Sequence, residues 1–227
     1  MSTKVLPIVL AFVAWTAILP AKAAPGEHCP VPEHAIVVTG AHEDDRALIC
    51  AGAQQALDLL ARCEITPREA IHIRVQREVR HPLAGLIFGY YDLGARHIAL
   101  AQLTSIPTLM QGTPYEGIPH RAFFQSLAVH EIVHSVMHQN LGQSAQNHAA
   151  YEYPAYALQI ASLPAEARAL FLRAFDGERI RKVAPFSDTI LAFAPYFFAA
   201  RAYEHYVGSP DGCGRLRALM IENELPK

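Results

Sequence analysis

Two histidines and a glutamate stand within five consecutive residues, in the segment His130-Glu131-Ile132-Val133-His134. On an α-helix, residues four positions apart lie on one face with their Cβ atoms about 5 to 6 Å apart, so His130 and His134 can direct ring nitrogens at one metal ion. Glu131 lies beside them, where its carboxylate can reach a water molecule on such an ion rather than the ion itself. The pattern H-E-x-x-H therefore predicts a zinc site with a neighbouring base.

A chance occurrence is a poor explanation of this pattern. If the residues of this 227-residue chain, 12 of them histidines, were placed in random order, about 0.04 matches to H-E-x-x-H would be expected. The surrounding segment is apolar on nearly all sides of a helix, which predicts that the helix is buried. Buried imidazoles and carboxylates need partners, and a metal ion with its water would supply them for all three groups. A metal-free pair of core histidines is the alternative.

A catalytic zinc site has three protein ligands and a water, so we expect a third ligand outside the motif. His138 lies one turn further along the same helix, but a rigid helix does not easily wrap three such histidines around one ion. We therefore interpret His138 as a residue behind the ligands or at the surface. Asp176 and Asp188 stand in no matching motif. Glu152 is favoured, because it begins the next helical segment, although Pro154 predicts a kink or break there.

The set His130, His134 and Glu152 resembles the zinc ligands of the gluzincin class of metallopeptidases, in which a glutamate on a second, downstream helix completes the site. The resemblance covers about residues 121–163. It implies one Zn²⁺ per chain held by these three residues, Glu131 as the general base, and a mixed sheet lying over the motif-bearing helix. The metzincin pattern is a poorer match, because an asparagine occupies the position of its third histidine.

Peptide hydrolysis at such a site also needs a hydrogen-bond donor for the developing oxyanion. Tyr156, one turn beyond the candidate glutamate ligand, is one candidate, and Tyr203 and His205 in a later helical segment are others. In peptidases of this type an exposed edge strand aligns the substrate backbone. The predicted strands 86–92 and 97–103 are both candidates for that strand.

The elements that position these residues follow the order of an α+β protein, with strands first and helices after them. Apolar periodicity predicts strands at 35–39, 71–76, 86–92 and 97–103. It predicts helices at 44–62, 121–141, 143–163, 164–175, 187–206 and 214–223, and proline and glycine predict a loop at 105–120. We expect a small mixed β-sheet in a strand-rich part, 35–104, packed on a helical part, 121–227, that carries the motif.

The first residues predict export. Lys4 precedes an apolar run from Val5 to Leu19, and small residues ending at Ala23 follow, which is the pattern of a cleaved signal peptide. The run is shorter than the roughly 20 residues that a spanning helix needs, so we prefer this interpretation to an uncleaved anchor. The prediction is removal of 1–23 and a single secreted or periplasmic domain, 24–227, with no membrane association.

Charge excludes one class of partner. The formal net charge is -2 and like charges form no run, so the chain has no electrostatic footprint for nucleic acid.

The four cysteines of an exported chain predict two disulfides. Cys50 and Cys63 cannot pair if both lie on the predicted helix 44–62, because about 20 Å of helix separates them. Two pairings remain. Chain reversal after the first strand favours Cys29–Cys63 with Cys50–Cys213, and the other pairing is Cys29–Cys50 with Cys63–Cys213.

Together these features predict a secreted or periplasmic zinc-dependent peptidase, a hydrolase that acts on a peptide or protein substrate. The alternative is a non-catalytic, exported zinc-binding or interaction protein that retains a zincin-like fold.

Overall fold

The structure is a computed structural model that describes residues 27–31, 35–81, 85–141, 148–175 and 186–222. The predicted signal segment, 1–23, and the candidate ligand Asp176 lie outside the described residues.

Five strands form the main β-sheet, in the order β1-β2-β3-β7-β6. They are β1 (Glu27–His28), β2 (Ile36–Thr39), β3 (Ile71–Gln76), β6 (Gly89–Asp92) and β7 (His97–Ala101). The strands β2, β3 and β7 are parallel to one another, whereas β1 and β6 are antiparallel to their neighbours. The sheet is therefore mixed, with β6 as an outer strand and β7 between β3 and β6.

Eight α-helices accompany this sheet within the described residues. The first, α1 (Glu43–Ala61), connects β2 to β3 along the chain. After β7 and a 3-10 turn (Leu103–Ser105) the order is α2 (Ile106–Met110), α3 (His120–Leu141), α4 (His148–Ser162), α5 (Ala165–Leu172), α6 (Asp188–Phe193), α7 (Pro195–Gly208) and α8 (Gly212–Glu222). The mixed sheet in the N-terminal half and the helices in the C-terminal half confirm the predicted α+β class.

The core forms where the sheet meets α1 and α3. In β3, Ile71, Ile73 and Val75 are buried, whereas His72 and Arg74 between them are exposed, because alternate side chains of a strand point to opposite faces. The buried face belongs to one apolar cluster with residues of α1 and α3. The motif helix α3 is buried along most of its length and contacts α1, α4, β6 and β7. The motif residues His130, Glu131 and His134 therefore lie in the protein interior.

The prediction of one continuous strand at 86–92 is wrong. The structure divides it at Phe88 into β5 (Gly85–Ile87), which pairs with β4 (Val79–His81) in a small second sheet, and β6, which pairs with β7. The ring of Phe88 packs edge-on against Phe123, with centroids 4.9 Å apart. Apolar alternation indicates strand conformation but carries no information about which strand is the partner.

The predicted helix 187–206 is also divided, into α6 and α7. Ala194 between them has φ -146° and ψ 59°, which is not helical, and Pro195 begins α7. Proline disfavours helical backbone in the residue before it and is well suited to the first position of a helix. The predicted loop 105–120 contains the short helix α2.

The structure contains the disulfides Cys29–Cys50 and Cys63–Cys213, so the favoured pairing was wrong and the other remaining pairing is present. Cys29 lies beside Ile36 at the start of β2, because its N–H donates to the carbonyl of that residue. From Ile36 to Thr39 the strand β2 advances about 10 Å, and a helix needs about seven residues to cover the same distance. The residue of α1 opposite Cys29 is therefore near its middle, at Cys50, and not at its end.

Two disulfides are typical of proteins that fold in an oxidising, extracellular environment. Of the helices that the structure describes, none is both long and apolar enough to cross a membrane.

Candidate metal centre

Side chains from two helices converge on one point in the interior. The Nε2 atoms of His130 and His134 on α3 are 3.0 Å apart. The carboxylate of Glu152 on α4 lies 3.4 Å from each of them, through Oε2 to His130 and Oε1 to His134. These three residues form a group that could hold a metal ion, as the sequence predicts.

The spacing of these atoms suits an ion with tetrahedral coordination. Ligand atoms about 2.1 Å from a zinc ion at tetrahedral angles are about 3.4 Å from one another. The observed separations are close to that value, 3.0 Å between the two nitrogens and 3.4 Å from each nitrogen to one of the two carboxylate oxygens of Glu152. Two imidazole nitrogens and one carboxylate are also ligands that zinc prefers. The residues therefore fit a zinc ion, although the same donors accept other divalent ions.

The helix α3 brings His130 and His134 together through local geometry alone, since they are one turn apart on a continuous helix. Glu152 reaches them because α4 packs along α3 in the opposite direction. The ring of Tyr151 lies 6.4 Å from the ring of His134, and the ring of Tyr156, further along α4, lies 4.7 Å from that of His130.

The expected break at Pro154 is absent from α4, which the structure describes as one helix from His148 to Ser162. Asp188 on α6 supports its beginning, because Oδ1 accepts a hydrogen bond from the N–H of Ala149 at 2.7 Å. That N–H belongs to the first turn of the helix, where the backbone has no partner within the helix and a negative charge is favourable. Asp188 therefore contacts the start of the helix that carries Glu152.

Opposing effects set the charge of the cluster. Burial opposes ionisation of Glu152, but the adjacent imidazoles of His134 and His130 outweigh it and hold its pKa well below the usual range. Burial likewise opposes protonation of His134, and the carboxylate of Glu152 outweighs it and raises the pKa of that imidazole. Each group thus favours the charged form of its neighbour, and a bound cation would serve the carboxylate in the same way.

Two buried polar atoms at the cluster lack a hydrogen-bond partner within the described part of the chain. One is Oε2 of Glu152, the atom that faces His130, and this suits a metal ligand. The other is Nδ1 of His130. Ligating histidines usually donate their second ring N–H to an acceptor, and His130 departs from that arrangement among the residues described.

Glu131 does not belong to the His-His-Glu group. It is 3% exposed, and its Oε2 has no hydrogen-bond partner among the described residues. Burial raises its pKa, and the neighbouring His130 and His134 only partly offset that effect. A carboxylate with a raised pKa takes up a proton more readily near neutral pH, which is the property required of a general base.

An open cleft of about 430 Å³ gives access to these groups. The outer strand β6 contributes Gly89, Tyr90 and Tyr91 to its lining, and α4 contributes Tyr151 and Tyr156. His148, at the exposed start of α4, also lines it. The cleft therefore lies between the edge of the sheet and the helix that carries Glu152.

The predicted donor candidates lie in different places. Tyr156 is in the cleft, and burial, together with the charge of Glu152, raises the pKa of its hydroxyl well above the ordinary value. Tyr203 and His205 are not among the described residues that line the cleft. Tyr203 packs under the guanidinium of Arg168, and Nδ1 of His205 is hydrogen-bonded to the hydroxyl of Tyr153 at 2.7 Å.

His138 is buried behind the cluster, as one of the two sequence-based interpretations predicts, and does not belong to the ligand group. Its Nδ1 is hydrogen-bonded to the hydroxyl of Tyr91 at 2.8 Å. Sequence analysis overlooked Tyr91 because it lies on a strand remote from the motif along the chain.

Gly89 is a second residue that sequence analysis overlooked. A Cβ atom at this position would lie 2.8 Å from the carbonyl oxygen of Ala99 and 3.3 Å from Oε1 of Glu131. The absence of a side chain allows β6 to lie close to both β7 and the motif. A glycine within a strand indicates such a close approach, but does not indicate what is approached.

The fold and the cluster define an α+β protein with a His-His-Glu group that could hold a metal ion. The chain belongs to the family of unknown function DUF6639, whose model matches residues 36–225. The matched region contains both helices that contribute to the cluster. No curated protein and no solved structure matches the chain.

Proposed function

We propose that the protein is a zinc-dependent peptidase that acts outside the cytoplasm. The observation that carries this proposal is the convergence of His130, His134 and Glu152 beside a fourth polar residue, Glu131, which is buried and does not belong to that group. A buried carboxylate beside the metal ligands is the group that a metal-bound water needs as its base. The resemblance of the motif to gluzincins supports the same conclusion.

A zinc ion at the cluster would lower the pKa of its bound water and polarise the substrate carbonyl. Glu131 is the base that accepts a proton at its carboxylate, and its raised pKa suits that role. Tyr156 keeps its hydroxyl proton because its pKa is raised, so it can donate a hydrogen bond to the developing oxyanion.

The outer strand β6 is suited to bind an extended substrate. It pairs with β7 through one edge, and its residues Gly89, Tyr90 and Tyr91 line the cleft. An extended peptide that adds to a sheet edge gains main-chain hydrogen bonds regardless of its sequence. The other strand considered from the sequence, 97–103, corresponds to β7, which already has neighbours on both edges.

Export is supported by the two disulfides and by the pattern of residues 1–23, which predicts a cleaved signal peptide. The mature protein, 24–227, is expected in the periplasm or the external medium.

Metal content is the first test. Elemental mass spectrometry of the purified mature chain should give about one zinc per chain, and the His130→Ala and Glu152→Ala variants should lose it. His205→Ala is the matched control, because this histidine lies outside the ligand group, and it should keep the metal. Absence of metal from the wild type after incubation with zinc would contradict the proposal.

Hydrolysis is the second test, with a peptide library as the substrate. Glu131→Gln keeps the shape of the side chain but removes the base, so it should retain zinc and lose at least about 100-fold in rate. Glu166→Gln makes the same change on an exposed residue of α5 and should retain both properties. If the wild type binds zinc and cleaves no peptide, the non-catalytic zinc-binding alternative replaces the peptidase.

A further inference from the structure

The outer strand β6 approaches the motif helix α3 at two points. A Cβ atom at Gly89 would lie 3.3 Å from Oε1 of Glu131, and the hydroxyl of Tyr91 is hydrogen-bonded to Nδ1 of His138 at 2.8 Å. Alternate residues of a strand share a face, so both of these positions on β6 face the helix. Glu131 and His138 are about two helical turns apart. The strand β6 therefore runs along the motif helix.

The backbone of β6 pairs with β7 only at alternate residues. The N–H of Ala101 on β7 donates to the carbonyl of Phe88 at 2.8 Å, which fixes the phase of the pairing. In antiparallel strands, residues that exchange hydrogen bonds with the partner strand alternate with residues whose backbone groups point away from it. Tyr90 therefore faces β7, whereas the backbone groups of Gly89 and Tyr91 face the outer edge of the sheet. An extended chain that adds to this edge would pair with those two residues.

Tyr91 connects that edge to the motif helix. The residue lines the cleft, and its side chain reaches His138, which is buried. The two rings lie 5.5 Å apart between centroids. Burial raises the pKa of the Tyr91 hydroxyl, so the hydroxyl keeps its proton and donates it to Nδ1. The position of the Tyr91 backbone therefore depends on a hydrogen bond to α3.

His138 is suited to fix this position relative to the metal centre. It lies one turn beyond His134 on the same continuous helix, so helix geometry fixes its distance from the ligands. The strand β6, in contrast, is an outer strand that β7 holds along one edge. The hydrogen bond between Tyr91 and His138 thus links the less restrained element to the more rigid one.

We propose that His138 is a positioning residue, which holds Tyr91 so that the backbone of β6 lies where an extended substrate can pair with it beside the metal centre. The identity of the substrate as a peptide rests on the proposed function. His138 is not among the described residues that line the cleft, so it acts through Tyr91. Without the hydrogen bond, β6 shifts and binds the substrate backbone less well, while the metal centre keeps its ligands.

Steady-state kinetics on a peptide that the wild type cleaves test this role. Tyr91→Phe keeps the ring but removes the hydrogen bond, and it should raise KM by roughly fivefold, the effect of about one net hydrogen bond, while kcat changes by less than about twofold. His138→Leu should have the same effect. His138→Asn places an acceptor close to the position of Nδ1, so it should restore KM to within about twofold of the wild type.

The changes in KM distinguish positioning from a merely structural role. Tyr203→Phe is the matched control, because it removes a hydroxyl from a ring outside the described lining of the cleft, and it should leave KM unchanged. Zinc content should be the same in all variants. Tyr91→Phe removes a single hydroxyl, so we expect it to fold and to decide the matter if His138→Leu does not. The inference is wrong if Tyr91→Phe loses zinc or has the KM of the wild type.

Peptide binding without hydrolysis separates this inference from the proposed function. The protein is the zinc-loaded mature chain with Glu131→Gln, and the probe is a fluorescein-labelled octapeptide of alternating threonine and valine. Such a peptide can pair with a sheet edge through its backbone. Fluorescence anisotropy should give a Kd that Tyr91→Phe and His138→Leu each raise by roughly fivefold and that Tyr203→Phe leaves unchanged.

The two assays together give distinct outcomes. Cleavage by the wild type, with KM and Kd that do not depend on Tyr91 and His138, overturns the inference and leaves the peptidase intact. Absence of cleavage, with a Kd that depends on both residues, removes the proposed function and supports β6 as a peptide-binding strand that His138 positions. Absence of both cleavage and binding overturns both proposals.

Discussion

Replacing Gly89 by alanine would test the close approach of the outer strand to the motif. A Cβ atom at this position lies 2.7 Å from Cδ2 of Leu100, 2.8 Å from the carbonyl oxygen of Ala99 and 3.3 Å from Oε1 of Glu131. Carbon atoms in favourable contact are about 3.5 to 4.0 Å apart, so the new methyl group must move by nearly 1 Å. Leu100 and Ala99 belong to β7, which is held by strands on both edges, whereas β6 is an outer strand. We expect β6 to move.

The cost of this displacement follows from the mutations that overfill protein cores. One methyl group forced into a packed site destabilises a protein by about 1 to 3 kcal/mol. For a domain of this size each kcal/mol lowers the melting temperature by about 2 to 4 °C, so Gly89→Ala should melt roughly 2 to 12 °C below the wild type. The rate of hydrolysis should also fall, because the methyl group crowds the carboxylate of Glu131. Zinc content should not change, because Glu131 is not a ligand.

Thermal unfolding followed by circular dichroism is the measurement, with Gly94→Ala as the control. A Cβ at Gly94, in the turn after β6, comes no closer than 3.5 Å to Oδ1 of Asp92, so this variant should unfold within about 0.5 kcal/mol of the wild type. The reasoning is refuted if Gly89→Ala is as stable and as active as Gly94→Ala.

Three other predictions concern what holds the ligand helices in place. Replacing Cys63 and Cys213 by alanine should lower the free energy of unfolding by about 5 kcal/mol, and replacing Cys29 and Cys50 should lower it by about 3 kcal/mol. The first bridge spans 150 residues and the second 21, and opening the longer loop returns more conformational entropy to the unfolded chain. Urea unfolding measures both, and a larger loss for the shorter loop would contradict this order. Asp188→Ala should cost about 1 kcal/mol and weaken zinc binding in a chelator competition, since the start of α4 loses its hydrogen bond; unchanged stability and affinity would exclude that role. A chelator should lower the melting temperature by about 5 to 10 °C relative to protein in zinc at 100 times its Kd, because the ion stabilises the folded chain alone by about 2.7 kcal/mol. An equal melting temperature with and without zinc would argue against a site formed by two helices.

Features that depend on one element alone could be predicted best from the sequence. The 3.6-residue period of apolar residues identified α1 and α3 to within about two residues of their ends, because burial of one helix face depends on local spacing. The same local geometry brings His130 and His134 together. Glu152 was identified as well, through the resemblance of the motif and its place in the next helix.

The predictions that were wrong concern residues whose partners lie far away along the chain. Cys29 could reach two other cysteines by sequence reasoning, and only the position of β2 against α1 decides for Cys50. Tyr203 and His205 were candidate donors together with Tyr156, and tertiary packing places them against Arg168 and Tyr153, outside the described lining of the cleft. Pro154 was expected to break α4, which instead continues through it.

The identity and spacing of His130, Glu131 and His134, and the order of strands and helices along the chain, could be read from the sequence. The distance of Glu152 from the two histidines and the strand that borders the cleft depend on the tertiary structure. The physical reason is the range of the forces involved. Helix geometry fixes relations within about one turn, whereas the packing of α4 on α3 and of β6 beside the motif depends on apolar burial shared among residues far apart in the chain.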